Sequence, residues 1–179
     1  MQTQAFIAVT AQPVPYYADT TAIFNTLCQA NSNSLLLDSA EIGSKNSLQS
    51  LILVNAAVKI TCLGHNVTFK ALNENGKQVL KEIHPKLTTL GKVSAVNFDD
   101  EFSVQFSPLD NQLDEDSKLQ SATIFDGLRV VSTLYQHIQT PIFLGGLFAY
   151  DLVANFIPMD GITLQHDGIN CPDYSFYLA

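Results

Sequence analysis

Residues 35–41 run Leu-Leu-Leu-Asp-Ser-Ala-Glu, an apolar triplet that delivers Asp38, Ser39 and Glu41 off the end of what reads as a buried strand. A carboxylate beside a hydroxyl and free strand-end amides supplies acceptors for an ammonium and donors for a carboxylate. Those are the two poles of a free amino acid. Local physics leaves a second reading open, in which the strand ends at Leu37 and Asp38-Ser39 begin a turn. If the strand persists, alternation sets Asp38 with Leu36 on one face and Leu37 with Ser39 on the other.

Other residues that could do chemistry have simpler explanations. Asp114, Glu115 and Asp116 could ligate a hard cation, but adjacent acids at a helix start are accounted for by capping and the helix dipole, and neighbours one apart on a helix do not converge on a common point. Asp99, Asp100 and Glu101 read as a solvated turn. His65, His84, His137 and His166 have no metal-ligand spacing to one another. Asp126 and Arg129 stand three apart on a helical stretch, the spacing of a surface ion pair. Gly145-Gly146 interrupts an apolar strand and matches neither a dinucleotide fingerprint nor a phosphate loop. A bulge or tight packing against another element explains it more simply than a ligand contact.

The chain that must position these residues has 179 of them, enough for one domain burying roughly 70% of its unfolded surface. Its 46% hydrophobic and 15% charged content is that of an ordinary soluble domain, and no apolar run is long enough for a membrane span. The net charge is −8 with nine scattered Lys and Arg, which leaves no basic stripe for a phosphate backbone. Cys28, Cys62 and Cys171 are odd in number and far apart, which suits free thiols in a reducing compartment. The start MQTQAFIAVTAQPVPYY has no basic residue and is broken by Pro13, so it does not read as a secretory signal, and a cytoplasmic location is expected.

The pattern predicts an α+β fold, a mainly antiparallel sheet with flanking helices, with residues 1–179 as a single domain. A strand is expected at 5–10, then a helix capped by Asp19 or Thr20 with Ala22, Ile23, Leu27 and Ala30 on one face. Residues 35–42 follow as a strand, and 50–72 as successive antiparallel strands with turns at Asn55 and at Gly64-His65-Asn66. Asn75-Gly76 should break the run. Val79, Leu80, Ile83 and Leu87 then recur at helical spacing until Pro85 and the Thr88-Thr89 pair disrupt it. Residues 101–107 alternate with Phe102, Val104 and Phe106 on one face. One long helix is expected over 114–138, with Leu119, Ala122, Phe125, Leu128, Val131, Tyr135 and Ile138 on its apolar face. IFLGGLFAYDLVANF reads as a strand running into a short helix. A final strand stops on Ala179, as expected where a longer protein continues.

Several blocks in order, LLLDSAEIGSKNSLQSLILVNAAVKITCLG (35–64), FSPLDNQLDEDSKL (106–119), IFDGLRVV (124–131), FLGGLFAYDLVANF (143–156) and NCPDYSFYLA (170–179), resemble the N-terminal region of anthranilate synthase component I. The γ-proteobacterial type is the nearest likeness. The resemblance implies the regulatory domain of a lyase that converts chorismate and glutamine-derived ammonia to anthranilate and pyruvate, with a glutamine amidotransferase subunit (component II) as partner, in a heterodimer or heterotetramer. It also implies that the ligands of chorismate and of Mg²⁺ lie in a C-terminal domain outside these residues. This chain alone is then expected to be inactive.

What the resemblance assigns to this region is part of a feedback site for L-tryptophan, built around Leu36-Leu37-Asp38-Ser39. By position Ser39 matches the family's tryptophan-binding serine, and Asp38 stands where the family usually has Glu. Leu37 belongs to the same motif. Gln49 stands where close relatives carry Lys, and Thr20 where they often carry Pro, both near that site. Two other readings remain at this point: the related aminodeoxychorismate synthase component I, and a free-standing amino-acid-binding or assembly module without a catalytic partner.

Overall fold

The computed structural model describes residues 9–29, 31–38, 50–97, 100–108, 110, 112–135, 142–156 and 171–179. Among them the chain forms, in order, α1 (Thr20–Cys28), β1 (Leu35–Asp38), β2 (Ser50–Leu53), β3 (Val58–Leu63), β4 (Asn66–Ala71), α2 (Glu74–Leu87), β5 (Lys92–Asn97), β6 (Glu101–Gln105), α3 (Glu115–Gln120), α4 (Ile124–Leu134), β7 (Leu144–Phe148), a 3₁₀ turn (Tyr150–Asn155) and β8 (Tyr174–Leu178). This is the expected α+β architecture.

Six strands form one antiparallel sheet in the order β5-β6-β4-β3-β8-β7, and β1 with β2 forms a separate two-stranded ladder. The period-two alternation that marked 58–71 and 101–107 decides which face is buried. Val58, Ile60 and Cys62 of β3, Val67 and Phe69 of β4, Phe102 and Val104 of β6, and Tyr174 and Leu178 of β8 point to one side and are buried. Register brings them together in rows: Phe69 faces Ile60 on one side and Phe102 on the other. The helices α2 and α4 cover that side. Val79, Leu80, Ile83 and Leu87 of α2 and Ile124, Leu128 and Val131 of α4 complete the core. Gly127 of α4 lies so close to Phe69 and Val67 that a Cβ there would sit 3.2 Å from both. The Tyr174 hydroxyl, carried into this core, donates to the Ile124 carbonyl at 2.7 Å, which satisfies its polar end.

The last strand in sequence is interior in space. β8 pairs with β3 on one side and β7 on the other, so β7 joins the sheet only through it. The paired glycines of β7 follow from this arrangement. A Cβ on Gly146 would run into the Ser175 carbonyl and lie 2.6 Å from Phe176 Cα, and one on Gly145 would press on the Phe143 ring and on Leu35. Tight packing, not a ligand, explains the pair.

Two expectations about the helices are corrected. The single helix over 114–138 is two helices, because Ser121 leaves helical geometry and the Asp126 carboxylate accepts from the Thr123 N–H at 2.6 Å, opening a new helix there. Leu119 is accordingly 84% exposed and not on the core face, and Ile138 lies outside the described residues. On α1 the buried residue is Cys28, whereas Leu27 is exposed. Two others hold. The strand run stops at Ala71, just before Asn75-Gly76, and α2 follows; Asn73 caps it, its side chain accepting from Gly76 N at 2.9 Å, and Asn75 and Gly76 sit in its first turn. The helix ends at Leu87 with Thr88 as its C-cap, and Pro85 sits in the last turn, where its missing N–H removes a single bond. Of the strand expected at 5–10, residues 5–8 lie outside the described residues, and Val9 and Thr10 are not in a strand. The edge strand β5 was not anticipated.

Candidate functional site

The second ladder is held to the face of the large sheet opposite the helices. Gly145 and Tyr177 are direct cross-strand partners on that face. Leu35 packs against Gly145, and the Tyr177 hydroxyl donates to the Ser32 carbonyl at 3.4 Å. Ser34 Oγ donates to the Val54 carbonyl at 2.7 Å, closing the base of the β1–β2 ladder. The polar run 31–34 thus ties α1, the ladder and the sheet to one another.

At the other end of the ladder stands Asp38. It is the last residue of β1 and lies directly opposite Ser50, the first of β2. The Ser50 hydroxyl donates to one oxygen of the Asp38 carboxylate, and the Thr20 hydroxyl at the start of α1 donates to the other at 3.2 Å. The strand therefore does persist through Asp38, and the turn reading, in which it stops at Leu37, is set aside. Asp38 is exposed, and Asp19 beside Thr20 caps α1 by accepting from Ala22 N at 2.9 Å.

Of the residues singled out from sequence, the structure brings Thr20 and Asp38 together. Leu37 lies on the opposite face of β1 from Asp38, 42% exposed, paired with Leu51 at 37%. Ser39 and Gln49 lie outside the described residues. Ser50 was not anticipated: its role comes from the register of the ladder, which no local pattern revealed. Among the described residues no three His, Cys, Asp or Glu side chains gather to hold a metal ion. Asp114 instead caps α3, accepting from Ser117 N at 2.8 Å, and that hydrogen bond holds its carboxyl below the usual carboxylate range. Glu115 pairs with Lys118, and Asp100 and Glu101 pair with Lys77 and Lys70.

The rest of that sheet face, where exposed Leu63 and Leu147 stand among polar side chains, is uncovered among the described residues. Lys59, Thr61, Leu63, Asn66 and Thr68 line an open groove of about 400 Å³ there. Thr68 and Ser103 share a hydrogen bond of 2.8 Å across it, and Lys59 Nζ lies 5.6 Å over the Tyr177 ring.

Over its whole length the chain is 93% identical to anthranilate synthase component 1 of Haemophilus influenzae. The chain belongs to that family, as its N-terminal region. Identity is 47% over 93% of the chain to the anthranilate synthase component 1 of Vibrio cholerae and 38% over 92% to that of Escherichia coli. No family model matches. The chain spans 35% of the Haemophilus anthranilate synthase component 1 and 31% of the other two, about a third of each relative. Among the described residues of this anthranilate synthase region, no helix is long and apolar enough to cross a membrane.

Proposed function

We propose that the chain is the regulatory domain of an anthranilate synthase component I, a lyase of tryptophan biosynthesis that takes chorismate and ammonia to anthranilate, pyruvate and water. The observation that carries this reading is the 93% identity, over every residue of the chain, to a protein of that name. The ammonia comes from glutamine through an amidotransferase partner, component II, which the numbered name itself suggests. Chorismate and Mg²⁺ are held by residues beyond this chain. The chain alone is inactive, and the uncovered sheet face is where the catalytic domain packs.

Tryptophan, the end product, binds partly in this domain. Asp38 supplies a carboxylate for its ammonium and Ser39 a hydroxyl for its polar groups, with Leu37 and Gln49 in the same site. Support comes from the exposed placement of Asp38 at a strand end. Binding between two domains would favour an orientation that does not close on chorismate.

The test uses a full-length subunit carrying this sequence, assayed with its amidotransferase, chorismate and glutamine. Anthranilate should form, tryptophan should suppress it, and Ser39→Phe should raise the half-inhibitory tryptophan concentration far more than it lowers the uninhibited rate. Absence of anthranilate, or equal loss of both quantities, would overturn the reading.

A further inference from the structure

Asp38 has a short, exposed side chain whose two torsions would ordinarily sample several rotamers. Here each of its oxygens is engaged by a different hydroxyl, Thr20 Oγ1 from α1 and Ser50 Oγ from the facing strand. The two donors come from elements 18 and 12 residues away in the chain. Each carboxylate oxygen has a second acceptor site, so the pair leaves it able to bind a cation while fixing its direction. A carboxylate already held in one orientation loses no further rotamer entropy when a ligand arrives, and a charge-assisted hydrogen bond made by it is correspondingly stronger.

Length matters in the same arrangement. Ser50 is the direct cross-strand partner of Asp38, with one methylene between Cα and carboxyl on the Asp side. A longer acid at this position would have to fold back through its extra torsion to reach the same hydroxyl.

We propose that Thr20 and Ser50 are positioning residues, which hold the Asp38 carboxylate toward the ammonium of a bound α-amino acid and set the affinity of the site. The proposal rests on the reading of Asp38 as a tryptophan contact. Neither hydroxyl touches the ligand. Both act through Asp38, and that distinguishes them from residues that merely support the fold.

The experiment is a double-mutant cycle on the full-length subunit with its amidotransferase, reading the tryptophan concentration for half-inhibition relative to each variant's own uninhibited rate. Thr20→Val and Ser50→Ala should each raise that concentration about three- to tenfold, the range of one ordinary hydrogen bond, since each acts on the ligand only through Asp38. Thr20→Ser, which keeps the hydroxyl, should stay within about twofold of the parent. In an Asp38→Ala background, itself raised, Thr20→Val should add nothing. The positioning role is overturned, with the tryptophan site intact, if Asp38→Ala weakens inhibition and Thr20→Val does not, or if Thr20→Val has the same effect in both backgrounds. If tryptophan does not inhibit the parent, or Asp38→Ala leaves inhibition unchanged, the tryptophan-contact reading of Asp38 fails and the positioning role falls with it.

Discussion

The backbone N–H of Gly64 donates to the Asp173 carboxylate at 2.6 Å, across 109 residues of chain. The same oxygen accepts from Asn155 Nδ2 at 3.1 Å, and the Asp173 backbone bonds to Cys62 and Ala149 at 2.8 and 2.7 Å. One half-buried acid thus joins the β3–β4 turn, the 3₁₀ turn and the entry to β8. Removing it leaves a turn N–H and an amide without their acceptor. Asp173→Ala should lower unfolding free energy by about 1–3 kcal/mol in urea denaturation, and Asp173→Asn, which keeps one acceptor oxygen, by less.

Two glycines should separate backbone strain from collision. Gly64 has φ of 57°, in the left-handed region, and a Cβ there would meet no atom within 4 Å. Gly64→Ala should therefore cost only about 1 kcal/mol of conformational strain, and Gly64→Asn less. At Gly146 the added carbon collides with the backbone of β8, which cannot retreat without giving up its ladder with β3. Gly146→Ala should cost about 3 kcal/mol or more by the same urea titration, through overpacking.

Buried acids of high pKa set the alkaline limit of stability. Burial foremost, with the nearby Asp173 charge adding to it, pushes the Cys62 thiol up to about 12. Burial likewise raises the Tyr174 and Tyr135 phenols, helped by Cys62 and Glu82 respectively. In the unfolded chain these groups ionise from about pH 8.5–10. There the native state binds more protons than the unfolded one, so unfolding free energy must fall as pH rises. These three groups add no pH dependence below about pH 8, and stability should decline between about 9 and 11, at up to about 1.4 kcal/mol per pH unit for each group. Cys62→Ala should delay the onset. With a thiol reagent at pH 8, Cys171, the exposed one, should react in the native protein, while buried Cys28 and Cys62 should react only after unfolding.

The break between α3 and α4 depends on Asp126. Its carboxylate accepts from Thr123 N–H and from Arg129 at 3.0 Å. Asp126→Ala should cost about 1 kcal/mol, mostly from the lost cap, since an ion pair to a largely exposed Arg129 contributes little. Arg129→Ala should therefore change the thermal midpoint much less than Asp126→Ala.

The alternation of β3, β4, β6 and β8 and the 3.6-residue spacing of α2 are local consequences of burying one face, so both were legible before any coordinates. The errors fell where local pattern competes with something distant. Apolar spacing runs through 119–138 without interruption, and only the capping exchange between Thr123 and Asp126 shows that the helix restarts. Pro85 and Asn75-Gly76, strong local breakers, were legible for the same local reason: they sit in the last and first turns of α2 and mark its ends.

Family membership, the antiparallel α+β class and the candidacy of Asp38 were determined by sequence alone, because each depends on residue order or on short-range periodicity. Tertiary structure decided three further points: the interior place of the last strand β8, the reason for the paired glycines, and the meeting of Thr20, Asp38 and Ser50. Those depend on strand order and register, set by how apolar faces pack across the whole chain. No window of neighbouring residues contains that information.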